Sequence, residues 1–189
     1  MARRVKKRPH INEQEDFFKI SPTKLDNRIL GTPEDVINYA RQNNFIIDKS
    51  VDIQKLIEDN NELELIFEDI EEDGQIIYMP DITKYKIIIN KNHHKVRQRF
   101  TMAHEYIHYQ IHRNTIQDNT HTDTILYRDA TTKLDIDIIA NQYASEILMP
   151  TEDFRQVMQQ HKGEIIKIAE TFNVSSLAVR YRAEKLGLL

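Results

Sequence analysis

Cysteine is absent from the 189 residues. That excludes a disulfide scaffold, a thiol nucleophile, a cysteine-ligated zinc finger and an iron–sulfur cluster. Any bound metal must therefore rest on histidine and carboxylate ligands. Glycine and proline are scarce, at 4 and 5 residues, which excludes collagen-like and linker-type chains. No apolar run approaches the roughly 20 residues a membrane helix needs, so no membrane partner is expected. The first ten residues are basic but lead into no apolar stretch, so the sequence predicts no secretory signal and a cytoplasmic protein.

What is present is a charged globular composition: 40% hydrophobic and 30% charged residues, with a net charge of −4. The length suits one domain, or a domain with a small appendage. Charge is unevenly spread. Arg3, Arg4, Lys6, Lys7 and Arg8 carry no acid among them, leaving 21 basic against 30 acidic residues in the rest. A basic arm of this kind could touch nucleic acid or an acidic partner. The acidic body is a poor electrostatic match for DNA, so a nucleic-acid partner is the weaker expectation.

Residues 1–30 show little periodicity and read as irregular. Thr32-Pro33-Glu34-Asp35 is a helix start, with a capping threonine, proline in the first turn and acids after it. A second short helix is predicted over about 51–59. The pattern then alternates. Segments 62–67, 75–79 and 85–90 read as strands, with Asp73-Gly74 as a hairpin signal, together a small antiparallel three-stranded sheet. Its last strand, just before the next helix, is a candidate edge for an extended substrate. Helical spacing returns from Lys95 to about Arg113. The polar stretch 114–131 reads as a long loop, a candidate lid. Further helices are predicted over about 133–149, from Thr151, and as short pieces between Gly163 and Leu189. The fold class is α+β.

His104-Glu105-Tyr106-Ile107-His108 has the form H-E-x-x-H. On a helix, positions i and i+4 share a face, so two imidazoles can converge on one ion. Zn2+ is the expected cofactor, since a catalytic zinc takes three protein ligands and keeps one position open. Glu105 is placed to take a proton from the attacking water and return it to the leaving amine. Two surface histidines, His93 and His94, are expected at the turn before this helix.

The third ligand must come from elsewhere. His112 continues the same face but stands roughly 12 Å along the axis from His104, too far to share an ion, and is expected to lie outside the ligand set. The elongated metzincin pattern is excluded, because Ile111 and Asn114 stand where it needs glycine and histidine. A carboxylate on the following helix remains. Asp137 and Asn141 share a face there, so Asp137 could bind the metal while Asn141 orients a ligand histidine. Asp135 points elsewhere if the segment is helical.

The segments 97–108 and 140–150, the second reading A-N-Q-Y-A-S-E-I-L-M-P, resemble the active-site helix and following helix of the ImmA/IrrE family of zinc metallopeptidases. The resemblance extends over roughly residues 33–189. It implies a gluzincin-like (zincin-like) core in which the sheet packs on the active-site helix. It also implies an acidic third ligand three residues before the Ala-Asn pair, which is Asp137. The family usually has glutamate there, and aspartate is one methylene shorter. Tyr106 and Ile107 replace a frequent Leu-Gly. By the same resemblance the substrate is a protein, a helix-turn-helix transcriptional regulator of a mobile element or stress response. Tyr106, Tyr109, Tyr143 and His112 are the candidates for an oxyanion partner.

Residues 168–182 resemble the core of helix-turn-helix units, with Ser175 as a helix cap and Arg180, Arg182 and Lys185 on the second helix. Segment 161–189 carries five basic and three acidic residues, a weak surplus for DNA contact. The expected organisation is a basic segment 1–30, a metallopeptidase domain 31–160 and a helical subdomain 161–189. The rival reading is a non-proteolytic DNA-binding regulator or toxin–antitoxin partner with a structural metal. Glu105 argues against it, because a structural site needs no base.

Overall fold

A computed structural model describes residues 29–120 and 130–189. The basic arm and most of the irregular segment 1–30 lie outside them, as does the middle of the expected loop. The chain opens with helix α1 (Pro33–Gln42), where Thr32 and Asp35 form a reciprocal capping box and Pro33 occupies the first turn. Two two-residue strands, β1 (Ile46–Ile47) and β2 (Ser50–Val51), pair antiparallel and lead into helix α2 (Ile53–Glu58). They are too short to leave an alternating signature.

Strands β3 (Leu63–Glu68), β4 (Gly74–Met79) and β5 (Lys84–Asn90) form the three-stranded sheet. Its order is β3-β5-β4, and it is mixed rather than antiparallel: β5 runs parallel to β3 and antiparallel to β4. Asp73-Gly74 therefore begins β4 and does not close a β3–β4 hairpin. The tight connection is instead the 3-10 turn Pro80–Ile82 between β4 and β5, closed by Thr83 in the left-handed region (φ 55°). The physical reason lies in β5. Ile87, Ile88 and Ile89 are all buried, the continuous apolar run of a strand covered on both faces and paired on both edges. β5 is thus no edge for a substrate; the free edges belong to β3 and β4.

Helix α3 (Lys95–Thr120) runs 26 residues, well past Arg113, so the first part of the expected loop is helical. It is followed by α4 (Ala130–Leu148), α5 (Thr151–Gln160), α6 (Ile165–Phe172) and α7 (Ser176–Lys185). Among the described residues no helix is long and apolar enough to cross a membrane. The cap expected of Ser175 is present, its hydroxyl accepting from the Ala178 backbone at 3.1 Å.

Met102, Ala103, Tyr106 and Ile107 of α3, Ala140, Ala144 and Ile147 of α4, and Ile168, Val179 and Ala183 of α6 and α7 belong to one hydrophobic core. Burying each large aliphatic side chain contributes about 1.5–3 kcal/mol, so this core outweighs any single polar contact. Arg182 is drawn into it rather than out toward a ligand. The residue is 5% exposed; its guanidinium donates to the Met149 carbonyl and the Thr151 hydroxyl and pairs with Glu146.

Two polar anchors fix how α3 is rotated. The Tyr109 hydroxyl donates to Glu62 at 2.6 Å and accepts from Asn60 at 3.2 Å. At the other end Arg99 donates to the carbonyls of Phe172, Asn173 and Val51. Gly74 lets β4 lie close against the same helix, since a Cβ there would stand 2.5 Å from the Thr101 methyl and 3.0 Å from the Ile88 carbonyl oxygen.

Candidate metal centre

With α3 held this way, His104 and His108 turn toward α4. Their Nε2 atoms are 2.9 Å apart, and Asp137 Oδ1 stands 3.4 Å from His108 Nε2. These are the three residues that, among those described, form a group able to hold a metal ion, with ligand atoms all within 4.8 Å of one another. Ligands at about 2.0–2.2 Å from a tetrahedral centre lie roughly 3.3–3.5 Å apart, so the spacing suits a small cation. Asp137 reaches His108 despite being a methylene shorter than glutamate. Asp135 is exposed and outside the group.

Hydrogen bonding and burial favour the ligating form of the two imidazoles. Asn141 Oδ1, an acceptor, is 3.0 Å from His104 Nδ1, so His104 carries its proton on Nδ1 and presents a lone pair at Nε2. His108 Nδ1 is 3.1 Å from His112 Nδ1. If His108 donates there, its Nε2 lone pair likewise faces the group. Burial lowers the His104 pKa; burial, with His104 and His112 alongside, lowers that of His108 to about 3. Both imidazoles are neutral at pH 7, the form that ligates. With His108 protonated on Nδ1, two lone pairs and a carboxylate converge with no proton between them, an arrangement that favours a cation.

Glu105 is 7% exposed. Burial, with the negative charge of Asp137 nearby, pushes its carboxyl up to about 8. Of the expected oxyanion candidates, Tyr109 is engaged with Glu62 and Asn60, and the Tyr106 hydroxyl accepts from Gln110 at 2.8 Å. His112 touches His108 and stands outside the group of three. His93 is 3.4 Å from Asp73, and His94 Nδ1 accepts from the Val96 backbone at 3.3 Å, so both stay at the turn into α3.

The family model described as the IrrE N-terminal-like domain (Peptidase_M78) matches residues 63–184. The chain belongs to this family. Its metallopeptidase character agrees with a histidine–aspartate group able to hold a metal. No curated protein matches this Peptidase_M78 chain in sequence. Among solved structures it is similar to a Mycobacterium tuberculosis transcriptional regulator, at 18% identity and a TM-score of 0.58, over 79% of this chain and 54% of that one. The likeness is one of fold, and the chain spans about half the length of that protein.

The spacing does not mark Phe100, Ile138, Leu177 or Ser145, which line a cleft beside the metal group. Apolar residues at helical spacing read as core, and only the packed structure distinguishes a cleft wall from an interior.

Proposed function

We propose that the protein is a zinc-dependent endopeptidase that cuts a partner protein at one or few sites. The observation that carries this reading is the convergence of His104, His108 and Asp137 beside a buried acid, Glu105. His104, His108 and Asp137 would hold the ion. The ion would supply polarisation of the scissile carbonyl and acidification of the attacking water. Asn141 and His112 keep the two imidazoles in their ligating orientation. Glu105 takes the water proton and passes it to the leaving nitrogen. A carboxyl whose pKa sits near neutrality can do both, and positive charge at the neighbouring ligand set draws it toward the ionised form.

The substrate in this reading is a helix-turn-helix transcriptional regulator. The resemblance of the two active-site segments supports it, and the name of the similar regulator structure agrees with a regulatory setting. An extended substrate segment pairs along β4. The start of that strand lies two helical turns before His104, where Asp73 and Arg97 are joined at 2.6 Å.

The test is incubation of the zinc-loaded full chain with helix-turn-helix regulators from the genome that encodes it, using wild type and Glu105→Gln. Wild type should cut one such regulator into discrete fragments. The variant should bind both zinc and regulator and cut neither quickly nor slowly. Equal cutting by both proteins would remove Glu105 from the mechanism. Regulator binding without cutting by zinc-loaded wild type would favour the non-proteolytic reading.

A further inference from the structure

Asn141 stands in two places at once. It accepts from His104, and it also lines a cleft of about 430 Å³ between α3, α4 and α7. Phe100 lines the same cleft from one helical turn before His104, and Ile138 from the position next to Asp137. The cleft therefore begins where the metal ligands end. Leu177 and Tyr181 of α7 form the opposite wall. A second cavity of about 400 Å³ shares Phe100 and Leu177 and carries the groove on toward Val96.

Three features describe what would fill it. Leu177, Ile138 and Tyr181 are 76%, 49% and 40% exposed, a concentration of open apolar surface that marks binding sites. Among the described residues no charged side chain lines the 430 Å³ cleft, so a charged group entering it would lose hydration without a counter-ion. Ser145, on the cleft wall and 3% exposed, has a hydroxyl oxygen with no hydrogen-bond partner among the described residues. Buried polar atoms are rarely left so, and a polar group of a bound chain would satisfy it.

We propose that this cleft is the specificity pocket of the metal site and takes a large apolar side chain, aliphatic or aromatic, beside the bond to be cut. The proposal rests on the peptidase reading given above. It assigns Phe100, Ile138 and Leu177 as the residues that select the substrate, and it excludes acidic and basic side chains at that substrate position. It also gives α7 a part in substrate binding in place of DNA contact.

Hydroxamates test it without a known substrate, because the hydroxamate group seeks the metal and its side chain samples the pocket. Calorimetry on the zinc-loaded full chain would compare acetohydroxamate with N-acetyl hydroxamates of phenylalanine, alanine and aspartate. The phenylalanine compound should bind roughly tenfold to a hundredfold more tightly than the alanine compound, the worth of burying one large apolar side chain. The aspartate compound should gain nothing. Leu177→Asp, at an exposed position, should erase the phenylalanine preference while leaving acetohydroxamate binding unchanged. The methyl NMR signals of Ile138 and Leu177 should shift on addition of the phenylalanine compound. Equal affinity for all three side chains, or shifts confined to other methyls, would overturn the pocket and leave the metal site standing. Failure of every hydroxamate, acetohydroxamate included, would overturn the peptidase reading itself. A wild-type dimer that Leu177→Asp dissolves would show that a second copy covers the cleft, and would also overturn the proposal.

Discussion

Asn141 Oδ1 accepts a hydrogen bond from His104 Nδ1 across 3.0 Å, tying α4 to the first histidine of the pair. An amide oxygen cannot donate, so this contact fixes the His104 tautomer and aims its free lone pair at His108 and Asp137. Replacing Asn141 by leucine keeps the bulk and removes the acceptor. Zinc affinity, measured by competition with a chelator, should fall about 10–100-fold, the usual cost of losing such a support. Unchanged affinity would mean that the His104 ring is held by packing alone.

The second histidine predicts an acid response in the metal-free protein. His108 is buried at 7% exposure and its pKa is lowered to about 3, against about 6.5 in an unfolded chain. Above about pH 6.5 it is neutral in both states and contributes nothing. Below that the unfolded chain binds a proton that the folded chain refuses, so stability falls by up to about 1.4 kcal/mol per pH unit from this group. Chelator-treated protein should therefore have a lower urea midpoint at pH 5.5 than at pH 7, followed by circular dichroism. His108→Gln should shrink that difference. An equal pH dependence in the variant would assign the loss to other groups.

The legible parts of the molecule were those set by local spacing. The i, i+4 repeat of His104 and His108 placed both on one face, and Thr32-Pro33 placed the start of α1. Asp137 was reachable through its shared face with Asn141 and through the family resemblance. Strand order was not legible, because the parallel pairing of β3 with β5 joins segments about 20 residues apart and no turn residue records it. The one available signal was the unbroken Ile87-Ile88-Ile89 run, which belongs to a central strand and not to an edge. The end of α3 is hidden in the sequence for a related reason. Residues 114–120 are mostly polar and lack an apolar stripe, although the helix continues through them. The cleft beside Asn141 depends on which apolar residues remain unpacked, and that is decided by tertiary structure.

Gly74 predicts a stability cost at the join of the sheet and helix α3. An alanine Cβ there would meet Thr101 at 2.5 Å and the Ile88 carbonyl at 3.0 Å. Overpacking of this kind costs about 1–3 kcal/mol. Gly74→Ala should lower the urea midpoint accordingly, and adding Thr101→Ser, which removes the offending methyl, should recover part of the loss. If the double variant were no more stable than Gly74→Ala, the strain would lie in the backbone contact instead.

The peptidase reading requires that His104, His108 and Asp137 hold a metal ion together. Metal content per chain, measured by mass spectrometry on wild type and Asp137→Ala after zinc is added back and excess removed, tests this most directly. The prediction is about one zinc per wild-type chain and much less in the variant. Full zinc retention by Asp137→Ala, or no bound metal in wild type, would contradict it.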